Sequence, residues 1–73
     1  MYQNINYFLG NIIRKHREER KMSQEKFADL CNITRAYYGR IERGEHSITI
    51  ETCQKIASAL EIPLYLLFKD LPE

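Results

Sequence analysis

The chain has 73 residues, room for one small domain that buries roughly 60% of the surface its unfolded form exposes, which leaves no space for an enclosed substrate cavity. Its apolar content of 44% excludes wholesale disorder, no apolar run reaches the ~18–20 residues of a membrane span, and the start "MYQNINYFLGNIIRKHREER" puts its charges after the apolar residues, the reverse of a secretory signal. The net charge of +1 hides a polarity: residues 1–43 carry nine Lys/Arg against five Asp/Glu, a balance of +4, and residues 44–73 carry two against five, a balance of −3.

The pattern predicts five helices and no strand. The first runs from about Asn4 to Arg20, with Ile5, Phe8, Leu9, Ile12, Ile13 and His16 on one face and Arg14, Arg17 and Glu18 on the other. His16 reads as a satisfied, partly buried histidine on the core face. The second helix opens at Ser23, a good N-cap, with Glu25 in the first turn and Phe27, Ala28, Leu30 and Cys31 as its apolar face. The third spans Thr34 to Arg43 and stops at Gly44, which can take φ > 0. "EHSI" then forms a short loop. A fourth helix starts near Thr49, its face formed by Ile50, Cys53, Ile56, Ala57 and Leu60. Pro63 suits the first position of a short last helix that carries Leu64, Leu66, Leu67 and Phe68.

Between the second and third helices the chain must turn sharply. Asn32 tolerates the left-handed region that such a corner requires, and small Ala28 lets the next helix pack close. Ile33, Tyr38 and Ile41 would fill the wedge, giving the αα corner of a helix-turn-helix over about residues 23–43. On a wheel of about 100° per residue, Arg35, Gly39, Arg43, Ala36 and Arg40 share an arc of about 140°. A mid-helix glycine costs about 1 kcal/mol relative to alanine. Small residues between long cations let a backbone approach another surface, and arginine can grip guanine O6 and N7 bidentately in a major groove. The competing reading is a merely solvated arginine face.

Other chemistries find little support. Cys31 and Cys53 fall on apolar helix positions and read as small buried thiols. Together with His16 and His46 they lack the close pair spacing of a zinc site, so neither metal nor cofactor is expected. No G-x-S-x-G, glycine-rich phosphate loop or H-E-x-x-H is present. An enzyme is not expected.

The stretch "LGNIIRKHREERKMSQEKFADLCNITRAYYGRIERGEHSITIETCQKIASALEIPLYLLF", with "SQE", "IERG" and "KIASALEI" at their spacings, resembles the lambda-repressor/Cro-type (Xre family) helix-turn-helix regulators. The resemblance covers nearly the whole chain and implies a compact, all-α, five-helix domain over residues 1–73 that binds palindromic operator DNA as a homodimer; the missing span and signal pattern make the cytoplasm the expected location. The resemblance implies base readout by Arg35, Ala36 and Arg40, and backbone contacts by Gln24, Thr34, Tyr37, Arg43 and His46; Ser23 joins the backbone contacts because it lies at the N-terminus of the second helix, where free amides and the dipole favour phosphate. Arg17 and Glu42 match a recurring structural ion pair. The short format and "TRAYYGRIERGEHSITI" are similar to restriction–modification controller proteins; phage-repressor-like and antitoxin-like regulators share the format. RNA polymerase is a further partner if the regulator activates. Three positions depart from the family pattern: Lys21 stands where glycine is common, Tyr38 where a β-branched residue is usual, and Gly39 is uncommon in a recognition helix.

The residues themselves suggest where two copies meet. Ile62, Leu64, Tyr65, Leu66, Leu67 and Phe68 are too many apolar residues for one side of a short helix to bury, and exposed apolar patches mark interfaces. Ile62, Leu64, Tyr65, Leu67 and Phe68 are therefore the expected dimer contacts, within a dimerisation region of about 50–70. The alternative function is a protein-interaction module that keeps the fold without binding DNA.

Overall fold

The computed structural model describes residues 4–72. Its five helices are α1 (Ile5–Glu19), α2 (Gln24–Cys31), α3 (Arg35–Glu42), α4 (Ile50–Leu60) and α5 (Tyr65–Phe68), with no strand among the described residues. The four long helices start alike. Asn4, Ser23, Thr34 and Thr49 are extended N-caps whose side chains accept from the amides of Asn6, Lys26, Tyr37 and Thr52. Each such cap contributes about 1 kcal/mol by satisfying an amide that has no partner within its helix.

These helices also end alike. The residue after each last turn is left-handed: Lys21 (φ 57°), Asn32 (φ 61°), Gly44 (φ 74°) and Glu61 (φ 59°). Its own amide and the next one reach back to carbonyls of the last turn, as in Asn32 N–H to Asp29 O and Ile33 N–H to Ala28 O. This is the Schellman arrangement. Lys21 thus holds a left-handed backbone shape that glycine takes more readily, at a steric cost. A left-handed non-glycine residue costs roughly 1–2 kcal/mol, and glycine's greater unfolded freedom returns roughly half of that. Lys21→Gly is therefore expected to raise stability by about 0.5–1 kcal/mol, seen as a higher urea midpoint at unchanged slope; a lower midpoint would mean that Lys21 makes a contact outweighing its strain.

The core gathers Leu9 and Ile13 of α1, Phe27, Ala28 and Cys31 of α2, Tyr38 and Ile41 of α3, Cys53, Ile56, Ala57 and Leu60 of α4, and Leu67 of α5. Tyr38 fits where a smaller residue was expected by standing edge-on to Phe27, ring centroids 5.3 Å apart. Arg20 ties two C-termini together, donating to the carbonyls of His16 and Leu60, and His16 is half-buried beside it. Gly10 marks the tightest approach: a Cβ there would lie 2.4 Å from the Ile41 carbonyl oxygen and 2.7 Å from that of Glu42.

Several expectations need correction. Leu30 is 54% exposed, because it sits off the edge of the Phe27–Ala28–Cys31 stripe. Ile5 and Ile50 have the right period but are the first residues of their helices, project past the packed turns, and are 44% and 66% exposed. Regular helix starts at Tyr65, two residues after Pro63. The amides of Leu66 and Leu67 bond to the carbonyls of Pro63 and Leu64, three residues back, so the chain enters α5 through a tighter turn. Leu67 is fully buried in the core of the chain, which leaves no surface for a second copy, and drops out of the expected dimer contacts.

Candidate nucleic-acid interface

The corner between α2 and α3 is set by left-handed Asn32, with fully buried Ala28, Tyr38 and Ile41 and half-buried Ile33 behind it. This packing fixes α3 while its other side faces water. Arg35, Ala36 and Arg40 are all exposed there. Thr34 and Ser23, exposed at the N-caps of α3 and α2, each accept one amide at 3.1 Å. Each hydroxyl proton stays available for donation. The first amides of each helix also lack intrahelical partners, and the helix dipole favours an anion at such ends. Tyr37 is half-buried and stands edge-on to half-buried His46, ring centroids 5.5 Å apart, which joins α3 to the following loop.

A buried polar network holds this face from behind. Arg17 of α1 grips Glu42 side-on, Nε to Oε2 at 2.6 Å and Nη2 to Oε1 at 3.2 Å. The same guanidinium donates to the Met22 carbonyl at 2.7 Å. Gln24 Nε2 donates to Glu42 Oε1 at 2.9 Å. The ion-paired side chains are only 11% and 4% exposed, so the pair is screened little by salt. Burial alone would raise the Glu42 pKa, but hydrogen bonds from Arg17 and Gln24, with the Tyr38 hydroxyl beside them, hold it below the ordinary 4.5. One carboxylate thus links the first helix, the end of α3 and the residue that opens α2.

The expected contact residues do not all point freely outward. Gln24 is half-buried and bonded to Glu42. Arg43 lies back along α3, pairing through Nε and Nη2 with Glu45 at 2.9 and 3.4 Å. Gly39 is buried, because the Arg43 guanidinium and the Gln24 side chain cover it. In the sequence Glu45 reads only as part of the short "EHSI" loop, without this pairing. The available signal was an acid two residues after an arginine, across a left-handed glycine that folds the chain back.

Burial pushes the Cys31 thiol up to about 11 and raises that of Cys53, so both stay protonated at neutral pH. No group of metal-ligating side chains occurs among the described residues. An open groove of about 550 Å³ runs between α2 and α4, lined by Leu30, Glu51, Gln54 and Lys55 among others, and takes in none of the α3 arginines. No helix of the described residues is long and apolar enough to cross a membrane.

The Helix-turn-helix family profile HTH_3 matches residues 13–67. Control protein C.MunI of a Mycoplasma species is 38% identical over 63 residues, covering 85% of each chain. The restriction–modification controller protein C.AhdI from Aeromonas hydrophila superposes with a TM-score of 0.83 at 33% identity, over 86% of this chain and 91% of that one. C.Esp1396I bound to a 25-base-pair operator site superposes with a TM-score of 0.82 at 29% identity, over 93% of this chain and 90% of that one. In sequence and in three-dimensional structure alike, the chain belongs to the helix-turn-helix family, in which it is similar to restriction–modification controller proteins.

Proposed function

We propose that the protein is a sequence-specific transcriptional regulator that binds a palindromic operator as a homodimer in the cytoplasm, working as a controller protein rather than as an enzyme. The observation that carries this reading is the exposed Arg35–Ala36–Arg40 face of α3, held rigidly by the Arg17–Glu42–Gln24 network beneath it. In this reading α2 braces on phosphates through its N-terminus at Ser23 and Gln24. The third helix enters the major groove, where Arg35 and Arg40 read bases. Thr34, Tyr37, Arg43 and His46 fix its position on the backbone. Tyr65, 65% exposed, with half-buried Ile62, Leu64 and Phe68, offers the apolar face on which a second copy seats. Two-fold symmetry then places half-sites about one helical turn apart.

Base readers and phosphate anchors respond differently to substitution. Arg35→Ala is expected to lose about 1–3 kcal/mol of discrimination at one base position, so the preferred site relaxes while non-specific affinity changes little. Arg43→Ala is expected to weaken binding to all duplexes alike and to make the salt slope shallower by about one for each protomer on DNA. Fluorescence-anisotropy titrations against the preferred and scrambled duplexes at several salt concentrations check both. An unchanged preference for Arg35→Ala would overturn its assignment as a base reader.

The near-neutral net charge of +1 favours a second reading, a helix-turn-helix interaction module without DNA binding. Duplex affinity that falls steeply with salt through counterion release would rule that reading out. Absence of such binding would favour it.

A further inference from the structure

Arg43, expected to hold a phosphate, is already occupied. Its Nε and Nη2 pair with the two oxygens of Glu45 at 2.9 and 3.4 Å. Its Nη1 lies only 3.2 Å from where a Gly39 Cβ would stand. The missing side chain at position 39 is thus the berth that lets the guanidinium lie along α3 and reach back to Glu45. The hydrogen bonds from Arg43, with the charge of nearby Arg40, hold the Glu45 carboxyl below its ordinary range, and His46 is its neighbour in the chain. An acid therefore sits among three groups assigned to DNA contact.

We infer that Glu45 is a positioning residue that occupies Arg43 in the free protein and gives it up to a DNA phosphate on binding. This rests on the operator-binding reading above. The pair is suited to exchange. Both side chains are more than half exposed, at 57% and 54%, so water and salt reach the pair and it holds weakly. A DNA phosphate offers the same two-oxygen geometry and the same single charge, set in a backbone whose dense row of charges adds to the attraction. While Glu45 is in place Arg43 is a neutral pair; the duplex must displace the carboxylate to meet a full cation. Glu45 thereby sets the overall strength of binding without reading sequence, and keeps the free protein from settling on arbitrary DNA.

Glu45→Gln tests this, because the amide keeps the shape and loses the charge. At about 0.1 M salt its affinity is expected to rise by roughly 3–10-fold for preferred and scrambled duplexes alike, with the salt slope little changed, because Arg43 meets one phosphate in both proteins. Simple repulsion between Glu45 and DNA would also tighten binding, so the decisive comparison is made in an Arg43→Met background. There the same substitution is expected to change affinity by less than about 2-fold, the signature of coupling through Arg43. An equal gain with and without Arg43, or no gain with Arg43 present, would overturn the inference. A readout without DNA keeps the cases apart: the Arg43 Nε–Hε NMR signal of the free protein is expected to move on Glu45→Gln, and an unmoved signal would show that the pair does not form. If the unsubstituted protein bound no duplex, the operator reading would fall and this inference with it. If it bound duplex without the coupling, only this inference would fall.

Discussion

Glu42→Ala is expected to lower the unfolding free energy by about 3–5 kcal/mol at neutral pH. The size follows from what is left behind. Arg17 would keep its charge in a setting where its side chain is only 11% exposed, with the Met22 carbonyl at 2.7 Å and the half-exposed Glu18 carboxylate at 3.9 Å as its remaining partners. Gln24 would lose its acceptor as well. Replacing both ends by apolar residues removes the stranded charge, so the Arg17→Met/Glu42→Met double variant is expected to recover most of the loss. Urea unfolding of the four proteins in the cycle measures this; a double variant as unstable as the sum of the single ones would show that the pair's charges do not interact. Acid provides the same test without a mutation. The folded-state pKa of Glu42 lies below the ordinary 4.5. Its contribution is therefore complete above pH 4.5 and is lost as the pH falls from there through the folded value. Glu42→Gln, unable to titrate, is expected to show a flatter stability curve over that range.

Gly10→Ala is the second large effect. The added Cβ would meet the carbonyl oxygens of Ile41 and Glu42 at 2.4 and 2.7 Å. These are backbone atoms and cannot rotate aside, so α1 and α3 must separate. Overpacking of this kind costs roughly 1–3 kcal/mol or somewhat more, against about 1 kcal/mol gained in helix propensity. A net loss of about 1–2 kcal/mol is expected, together with weaker DNA binding because α3 is displaced. Gly39→Ala serves as the control. Its Cβ meets the mobile end of Arg43 at 3.2 Å, so the propensity gain should prevail and stability should rise. If both alanines shifted the thermal midpoint in the same direction, the close α1–α3 contact would not be the cause.

The comparison of these two glycines shows what a sequence carries and what it does not. Both interrupt a helical pattern, and nothing local separates them; which helix lies above each is decided by tertiary packing. Asn32 and Gly44 were readable as helix terminators because their residue types favour the left-handed region. Lys21 and Glu61 were not, since there the Schellman hydrogen bonds impose a conformation that their side chains oppose. Periodicity located the apolar faces but said nothing of where neighbouring helices end, hence the exposure of Ile5 and Ile50. At the candidate interface, the wheel and the resemblance singled out the α3 arginines and the Arg17–Glu42 pair. The Gln24–Glu42 bond and the folding of Arg43 over Gly39 onto Glu45 stayed out of reach, because both depend on side-chain paths across the α2–α3 corner.

Selecting binding sites from a random duplex pool near physiological salt, where non-specific binding is weakened, tests the central claim most directly. The account predicts enrichment of one inverted repeat with half-sites about a helical turn apart, its strongest guanines losing their preference when Arg35 or Arg40 is replaced. A pool that stays random after repeated rounds would contradict it, and would leave the arginine face of α3 in need of a partner other than DNA.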